Sequence, residues 1–299
     1  MTQTRLETPT EPAAPSQPVE TPPSADRPTF VIRPAPRWPH LDFRELWHYR
    51  EVLGTIVWRD VIVRYKQTFL GVVWALLVPA LTATVYVIVF GKFAKFPSGD
   101  TAYPSLVVAG VIPMQYFASS VTASSMSLVS NLPLVTKVYF PRVLLPFAAV
   151  LVPIVDLIVA LPVLLVLMGV YETWPDGAQV LFAPLFLLLG LVTALGIGFL
   201  LSAVNVRYRD VPYIIPVFLQ ILPLLSGVMY AVDELPEKWQ WILSFNPMTA
   251  VIAGWRWAML DASMPNWPQT LVGVAMCAVV FIVGLTVFRA SEPRFADTI

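Results

Sequence analysis

The chain has 299 residues, of which 57% are hydrophobic and only 13% are charged, and its mean hydropathy is +0.70. Soluble domains carry about 25% charged residues, and a single soluble core stops growing near roughly 250–300 residues. The composition therefore excludes an ordinary soluble enzyme and indicates a polytopic membrane protein. Basic and acidic residues balance at 19 each, so the net charge gives no indication of nucleic-acid binding, and we expect none.

The N-terminal part of the chain divides into two segments before the apolar region begins. Residues 1–40 contain ten of the 29 prolines, and such a segment buries too little apolar surface to fold, so we predict a disordered cytoplasmic tail. Residues 41–66 carry apolar side chains at helical spacing, among them Tyr49, Leu53 and Val57. We interpret them as an amphipathic helix. It either lies in the membrane interface or packs on protein, and the spacing fits both.

Six apolar stretches follow, each close to the ~20 residues that a helix needs to cross a bilayer. Residues 239–260 are rich in tryptophan but are split by Asn246-Pro247, so we predict short re-entrant helices there rather than a seventh span. The predicted fold is an all-α membrane protein with six transmembrane helices, an N-terminal interface helix and short re-entrant helices before the last span. The six-span region covers residues 67–290, and residues 291–299 form a C-terminal tail. The predicted spans are residues 71–90, 104–124, 143–168, 180–204, 212–230 and 271–288.

Loop charges predict the orientation of these spans. Twelve of the 19 lysines and arginines fall on the side that holds both ends of the spanning region, four fall on the other side, and three lie in the tail. Positive charge is enriched in cytoplasmic loops, so both termini are predicted to be cytoplasmic. Lys92 and Lys95, just after the first span, are a local exception.

Catalytic motifs are absent from the sequence. Gly91-Lys92 is followed by Phe93, and Tyr86 stands where a phosphate-binding loop has its first glycine, so we expect no ATP hydrolysis by this chain. The lone cysteine, Cys277, lies in an apolar stretch, and no cluster has the spacing of metal ligands. We therefore expect no catalytic residue, no metal site and no cofactor.

Asp156 is the one ionisable residue well inside a predicted span, and such residues are functional candidates by default. It is either a proton or substrate site of a secondary transporter, or a buried contact to a hydroxyl or to an arginine near the interface. No second intramembrane charge accompanies it, so we favour the structural role. A membrane enzyme of glycan assembly is a further alternative, although the outer segment of residues 231–271 has few charged groups for catalysis.

Aromatic residues in the first two spans are candidates for a sliding surface, because an aromatic face contacts a substrate without strong directional bonds. For any one of them, we favour packing against lipid or another helix. The candidates are Trp74, Tyr86, Tyr116 and Phe117.

Four motifs occur in a fixed order along the chain. Residues 59–75 (RDVIVRYKQTFLGVVWA) enter the first span, residues 136–142 (TKVYFPR) join the second and third, residues 205–210 (NVRYRD) follow the fourth, and Asn246-Pro247 precedes the last. In this order they resemble the membrane subunit of type-two ABC exporters of bacterial polysaccharide, the O-antigen and teichoic-acid export permeases. The resemblance covers about residues 41–290.

The resemblance implies a multi-pass protein of the bacterial inner membrane. Two copies of the permease would join two ABC ATP-binding subunits and move a lipid-linked polysaccharide, such as O-antigen, from the cytoplasm to the periplasm. It implies ATPase coupling between spans two and three, a substrate entrance near the interface helix and a periplasmic exit before the last span. The corresponding residues are Thr136, Lys137, Val138, Tyr139, Phe140 and Arg142 for coupling, Arg59, Arg64, Tyr65 and Lys66 for the entrance, and Asn246 and Arg256 for the exit.

Overall fold

The computed structural model describes residues 47–66, 71–99, 101–137, 140–175, 177–208, 210–260 and 262–295. Within these ranges helices are the only regular secondary structure, which confirms the all-α prediction. The predicted N-terminal tail lies outside the described residues. Numbered in chain order, the helices are α1 Arg50–Lys66, α2 Gly71–Tyr86, α3 Tyr103–Ser130, α4 Leu132–Lys137, α5 Leu144–Leu151, α6 Ile154–Tyr171, α7 Ala183–Arg207, α8 Val211–Leu225, α9 Glu237–Ser244, α10 Pro247–Met259 and α11 Trp267–Ser291.

Five helical stretches in the described ranges are long and apolar enough to cross a bilayer. They match the first four predicted spans and the last one. The first is α2 with its π-helical continuation, and the third is α5 and α6 together. Their bounds are Val73–Phe93, Tyr103–Ser130, Leu144–Tyr171, Ala178–Arg207 and Trp267–Ser291.

The predicted fifth span is shorter than the sequence suggests. Helix α8 has 15 residues, or about 22 Å at 1.5 Å per residue, against a hydrocarbon core of roughly 30 Å. It ends at Leu225 rather than at residue 230 because Gly227, with φ of +73°, turns the chain out of the helix. The rest of the predicted span is an irregular turn.

Helix α3 is at the centre of the bundle and packs against α5, α6, α7 and α10. Small side chains along it let neighbouring backbones approach closely, as is common between membrane helices. Ser124 on α3 faces Gly198 on α7, where a Cβ would overlap the serine side chain. On the opposite side of α7, a Cβ at Gly196 would come 2.6 Å from the Cα of Phe281 on α11.

Helix α1 packs on protein through the predicted apolar stripe. Tyr49, Leu53 and Val57 lie against the core, and α1 contacts α5 and α2. Trp47 and Trp58 on its other surface are 71% and 67% exposed. The helix therefore uses one apolar face for the bundle and keeps indoles on another, where such side chains favour a membrane interface.

Helices α9 and α10 confirm the prediction of two short helices split at Asn246. The Asn246 side chain caps α10 by accepting a hydrogen bond of 3.0 Å from the backbone N–H of Met248. Neither helix is long enough to span a bilayer. Both pack against α11, which places them beside the last span.

The contact between α7 and α11 generates a stability prediction. A Cβ at Gly284 would overlap the backbone of Gly196, so Gly284→Ala must push the two helices apart. We expect a loss of about 1–3 kcal/mol in the free energy of unfolding, seen as a lower midpoint of thermal unfolding in detergent. Gly54→Ala is the matched control, because nothing lies within 4 Å of a Cβ there. Equal midpoints for the two variants would contradict this account of the helix contact.

Candidate functional site

The loops of the chain lie at the two ends of the bundle. At one end, Arg59 of α1 bonds Asn131 after α3, and Arg142 bonds Glu292 after α11. We call this the α1 end. At the other, which we call the α10 end, the N–H of Ala231 donates to the carbonyl of Pro97. The predicted entrance residues and the described coupling residues fall at the α1 end, and the predicted exit residues fall at the α10 end.

A cavity of about 360 Å³ lies between α1, α2, α3 and α6, and we call it the α1 cavity. Charged and aromatic side chains from all four helices share its lining with aliphatic and small ones. The structure thus brings predicted entrance residues together with predicted channel aromatics. The lining includes Arg64, Tyr65, Trp74, Gln115, Tyr116 and Asp156.

Asp156 joins α6 to α1 at the rim of this cavity. Its Oδ2 lies 2.5 Å from Nη2 of Arg64, and its Oδ1 accepts a hydrogen bond from the hydroxyl of Tyr65. Burial raises the pKa of Tyr65, and the hydrogen bond to Asp156 raises it further, so the phenol remains a donor at neutral pH. The contact to an arginine and a hydroxyl that the sequence favoured for Asp156 is confirmed.

The other two predicted entrance residues lie on the same helix but away from the cavity lining. Arg59 donates from Nη2 to Oδ1 of Asn131 at 2.8 Å and pairs with its neighbour Asp60. This contact ties the middle of α1 to the end of α3. Lys66 ends α1 with an exposed side chain.

The four predicted channel aromatics separate into two groups. Trp74 is 51% exposed and lines the α1 cavity together with Tyr116, whose hydroxyl donates to the carbonyl of Val150 at 3.3 Å. Tyr86 lies further along the first span and packs edge-on against Phe90. Phe117 is 1% exposed and is part of the core of the bundle.

The coupling segment begins with a short helix. Helix α4 has Pro133 in its first turn and ends at Lys137. Phe140 is buried, and Arg142 donates from Nη1 to the carbonyl of Glu292 at 2.7 Å. Arg142 therefore anchors this segment to the end of α11. Val138, Tyr139 and the side chains of Thr136 and Lys137 lie outside the described residues.

At the α10 end, the irregular backbone after α8 is held by side chains. We call residues 225–230 the post-α8 turn. Arg256 of α10 donates to three of its carbonyls, those of Gly227, Val228 and Tyr230, at 2.6–3.1 Å, and to the carbonyl of Leu106 on α3 at 2.9 Å.

Two further side chains complete this set of contacts. Tyr103 donates from its hydroxyl to the carbonyl of Met229 at 2.6 Å, and Asn246 donates from its amide to the carbonyl of Leu225 at 3.1 Å. Residues 226–229 are buried, and buried carbonyls without a donor would be costly. Both predicted exit residues, Asn246 and Arg256, thus hold backbone in place.

Arg256 is buried, with 6% of its surface exposed, and Gly110 makes room for it because a Cβ there would lie 2.5 Å from Nη2. Burial lowers the pKa of Arg256 to about 10, while Asp233, Tyr103 and Tyr230 act in the opposite direction. The guanidinium therefore keeps its charge and its donors at neutral pH.

Beside Arg256 is a second cavity, of about 100 Å³, which we call the α10 pocket. Sequence reasoning did not identify its polar residues, because hydroxyls and amides scattered over several short elements have no characteristic spacing. The one available signal was a threonine near the start of the largely apolar helix α10. The polar lining includes Asp233, Gln240, Thr249, Ser263, Asn266 and Gln269.

The contacts of Arg256 generate a second prediction. Arg256→Gln has too few donors for four carbonyls, so we expect a loss of about 3 kcal/mol or more in the free energy of unfolding. Hydrogen exchange should speed up at the amides of residues 225–230. Arg207→Gln, at an exposed arginine of α7, is the matched control and should leave both measurements near wild type. If both variants unfold alike, Arg256 does not hold the turn.

The Asp156 contacts generate a third prediction. Asp156→Asn keeps the shape but removes the charge that faces Arg64. Arg64 is 41% exposed, so solvent weakens the pair and we expect a loss of only about 1 kcal/mol. The double variant with Arg64→Asp and Asp156→Arg should recover part of the lost stability. A double-mutant cycle of the midpoints of thermal unfolding measures this recovery. The control, Asp60→Asn, removes a carboxylate on the outer surface of α1. Full transport by a stable Asp156→Asn variant supports the structural role, and abolished transport would contradict it.

The sequence matches the model of the ABC-2 type transporter family over residues 51–260. An O-antigen export system permease protein from Klebsiella pneumoniae is 28% identical over 247 residues, which cover 83% of this chain and 94% of that protein. Its counterpart from Myxococcus xanthus is 28% identical, with 86% and 98% covered. The polysialic acid transport protein KpsM from Escherichia coli is 23% identical, with 78% and 91% covered. The family model matches more than half of this chain, so the chain belongs to the ABC-2 type transporter family.

Proposed function

We propose that this chain is the membrane permease subunit of an ATP-driven exporter that moves a polysaccharide or a lipid-linked glycan from the cytoplasm to the periplasm. The observation that carries the proposal is similarity across most of the chain to permeases named for the export of O-antigen and polysialic acid. The α1 cavity supports it, since a charged rim and aromatic walls suit an anionic carrier that bears sugar rings.

Two copies of a separate ABC ATP-binding subunit hydrolyse the ATP. The segment from α4 to Arg142 receives the motion of that partner. The hydrogen bond from Arg142 to the carbonyl of Glu292 supports this role, because a displacement of the segment then pulls directly on the end of α11. Lys137, at the end of α4, is the charged residue that we assign to the partner contact.

The substrate enters at the α1 cavity. Arg64 and Tyr65 form its rim, and Trp74 and Tyr116 form its aromatic wall. Arg59 supports the site indirectly, because its bond to Asn131 fixes α1 on the bundle. The buried position of Phe117 favours a packing role for that residue.

Two copies of the chain form the conduit, and the α1 end faces the cytoplasm together with both termini. The exposed apolar face of α8, which includes Tyr213, Val217 and Phe218, supplies the surface that a second copy or lipid would cover. The positive-inside charge pattern supports this orientation in the bacterial inner membrane. With the α10 end outside, the post-α8 turn and the short helices α9 and α10 form the exit side.

A secondary transporter driven by Asp156 is the alternative from a different class. The pairing of Asp156 with Arg64 and Tyr65 favours an anchoring role over a proton relay, because proton relays use chains of Asp, Glu or His and neither partner is one of these. A membrane enzyme of glycan assembly would need catalytic groups at the α10 end, where Asp233 already bonds Ser263.

Charge reversal at Lys137 tests the proposed function. Lys137→Glu should reduce recovery of the co-expressed ATP-binding subunit in affinity purification by about fivefold or more, or uncouple ATP hydrolysis from glycan transport into vesicles. Lys92→Glu, the same change at an exposed lysine of the α10 end, should alter neither measurement. Transport by the permease alone, without the ATP-binding subunit, would contradict the proposal and support the secondary transporter.

A further inference from the structure

The first membrane span changes its helical geometry partway along. Helix α2 ends at Tyr86, and the span continues as a π-helix over Val87–Phe93, which we call the π segment. The wide hydrogen-bond pattern is still present at its end, because the N–H of Ala94 donates to the carbonyl of Val89, five residues earlier, at 3.0 Å. Such helices are rare, are mostly single turns inside α-helices, and occur often at functional sites.

Burial does not account for this geometry. No residue of the π segment is buried, and Ile88, Val89 and Phe93 are exposed. Side chains packed around a helix can force it into an unusual geometry, but the π segment has few such neighbours. An unfavourable backbone conformation persists only where the surrounding structure holds it, so the contacts at the two ends of the segment must do so.

Each end of the π segment is fixed to α3 by its own contact. On the α2 side, the hydroxyl of Thr82 accepts a hydrogen bond of 3.4 Å from the amide of Gln115. On the far side, Gly91 lies so close to the ring of Tyr103 that a Cβ would overlap it. A π turn closes over five residues where an α turn closes over four, so the chain between these two contacts has one residue more than an α-helix needs.

The far side of the π segment is joined to the α10 end of the bundle. The ring of Phe90 packs on Phe96 with centroids 5.1 Å apart, and Phe96 packs edge-on against Tyr230 at 6.0 Å. The N–H of Ala231 donates to the carbonyl of Pro97 at 3.0 Å. Residues 96–97 are therefore tied to the end of the post-α8 turn.

The near side of the π segment leads to the other end of the bundle. Trp74, Val78 and Pro79 of α2 line the α1 cavity together with Asp156 of α6. A change in the width of this cavity moves α2. When a turn changes from five residues to four, the helix beside it shifts by about one residue, or roughly 1.5 Å, and its backbone groups exchange one hydrogen-bond partner for another.

We propose that the π segment is a joint in the first span, which lets α2 move with the α1 cavity while residues 96–97 stay fixed to the post-α8 turn. The joint serves the proposed function, on which this inference rests, because a substrate that enters and leaves the α1 cavity must displace its walls. An unbroken α-helix would transmit every displacement of α2 to the α10 end. The π segment absorbs the displacement instead, at the expense of some stability in the resting protein.

Deletion of Val89 tests the joint, because it removes the extra residue between the two contacts with α3. In the full chain in lipid nanodiscs, we expect the midpoint of thermal unfolding to stay equal or rise, since a regular α-helix replaces the π segment. Hydrogen exchange at the amides of residues 88–94 should slow by about tenfold or more.

The same deletion should impair transport without disturbing assembly. The permease is co-expressed with the ATP-binding subunit, and the probe is the lipid-linked glycan fraction extracted from the source cells. Recovery of the ATP-binding subunit should equal that of wild type, whereas ATP-driven uptake of the glycan into vesicles should fall by about tenfold or more, because the conformational step is lost.

Deletion of Val279 is the matched control. Val279 is also an exposed valine of a membrane span, 49% against 42% for Val89, but α11 is α-helical throughout and has no residue to spare. Gly273 packs against Ala250 on one side of it, and Gly284 packs against α7 on the other. After the deletion these two contacts no longer both fit, so we expect a lower midpoint.

Deletion of Ile88 removes the extra residue from the same segment and should reproduce the results for Val89, which protects the test against one variant that fails to fold. If both deletions lower the midpoint as deletion of Val279 does, the segment has no spare residue and the joint does not exist. Transport at the wild-type rate by either folded variant would also overturn the inference. Failure of the wild-type complex to transport glycan with ATP would instead contradict the exporter, while the midpoints and exchange rates would still report on the extra residue.

Discussion

The post-α8 turn is the feature on which the α10 end depends. Helix α8 stops at Leu225, so the backbone beyond it, where residues 226–229 are buried, has carbonyls without helical partners. Arg256, Tyr103 and Asn246 donate to the carbonyls of residues 225 and 227–230. Arg256 belongs to α10, Asn246 is the cap of α10, and Tyr103 begins α3. Helix α8 can end early because α3 and α10 hold the turn that follows it.

The two ends of the bundle use their charges in different ways. Arg256 is enclosed, and its partners are carbonyl dipoles, so the interaction is fixed in geometry and insensitive to the solvent. Arg64 is 41% exposed and faces the carboxylate of Asp156, so salt and hydration weaken the pair. An anionic ligand therefore competes for Arg64 far more easily than for Arg256. This difference makes the α1 cavity the better place for a charged carrier.

Sequence reasoning identified the elements whose signals are local. Long uncharged stretches marked five spans, Asn246-Pro247 marked the division between α9 and α10, and the spacing of Tyr49, Leu53 and Val57 gave the buried face of α1. It overestimated the fifth span, because apolar composition continues past Gly227 although the backbone does not stay helical. Apolar content reports burial or lipid contact, whereas helix ends depend on single residues.

Long-range pairing was harder to predict. Nothing near Arg256 in the sequence shows that its partners lie about 30 residues earlier and on α3. Gly110 leaves space for the Arg256 side chain, but in the sequence it looks like any glycine of a membrane helix. Asp156 was different, because the cost of a carboxylate in a span predicts a basic or hydroxyl partner, and Arg64 and Tyr65 are those partners. The α10 pocket required the structure, since its lining comes from five separate segments.

The bundle has a cavity at each end, and the two cavities differ in chemistry. Affinity alone does not set the direction of transport, because a binding site at equilibrium fills and empties from either side at balanced rates. Net export requires that one cavity change its affinity in step with an energy source. The described contact best placed to transmit such a change is the bond from Arg142 to the carbonyl of Glu292, since α11 connects this α1-end contact to α9 and α10 beside the α10 pocket. On the proposed function, a motion received next to α4 would reach the α10 end through α11, without passing through the α1 cavity.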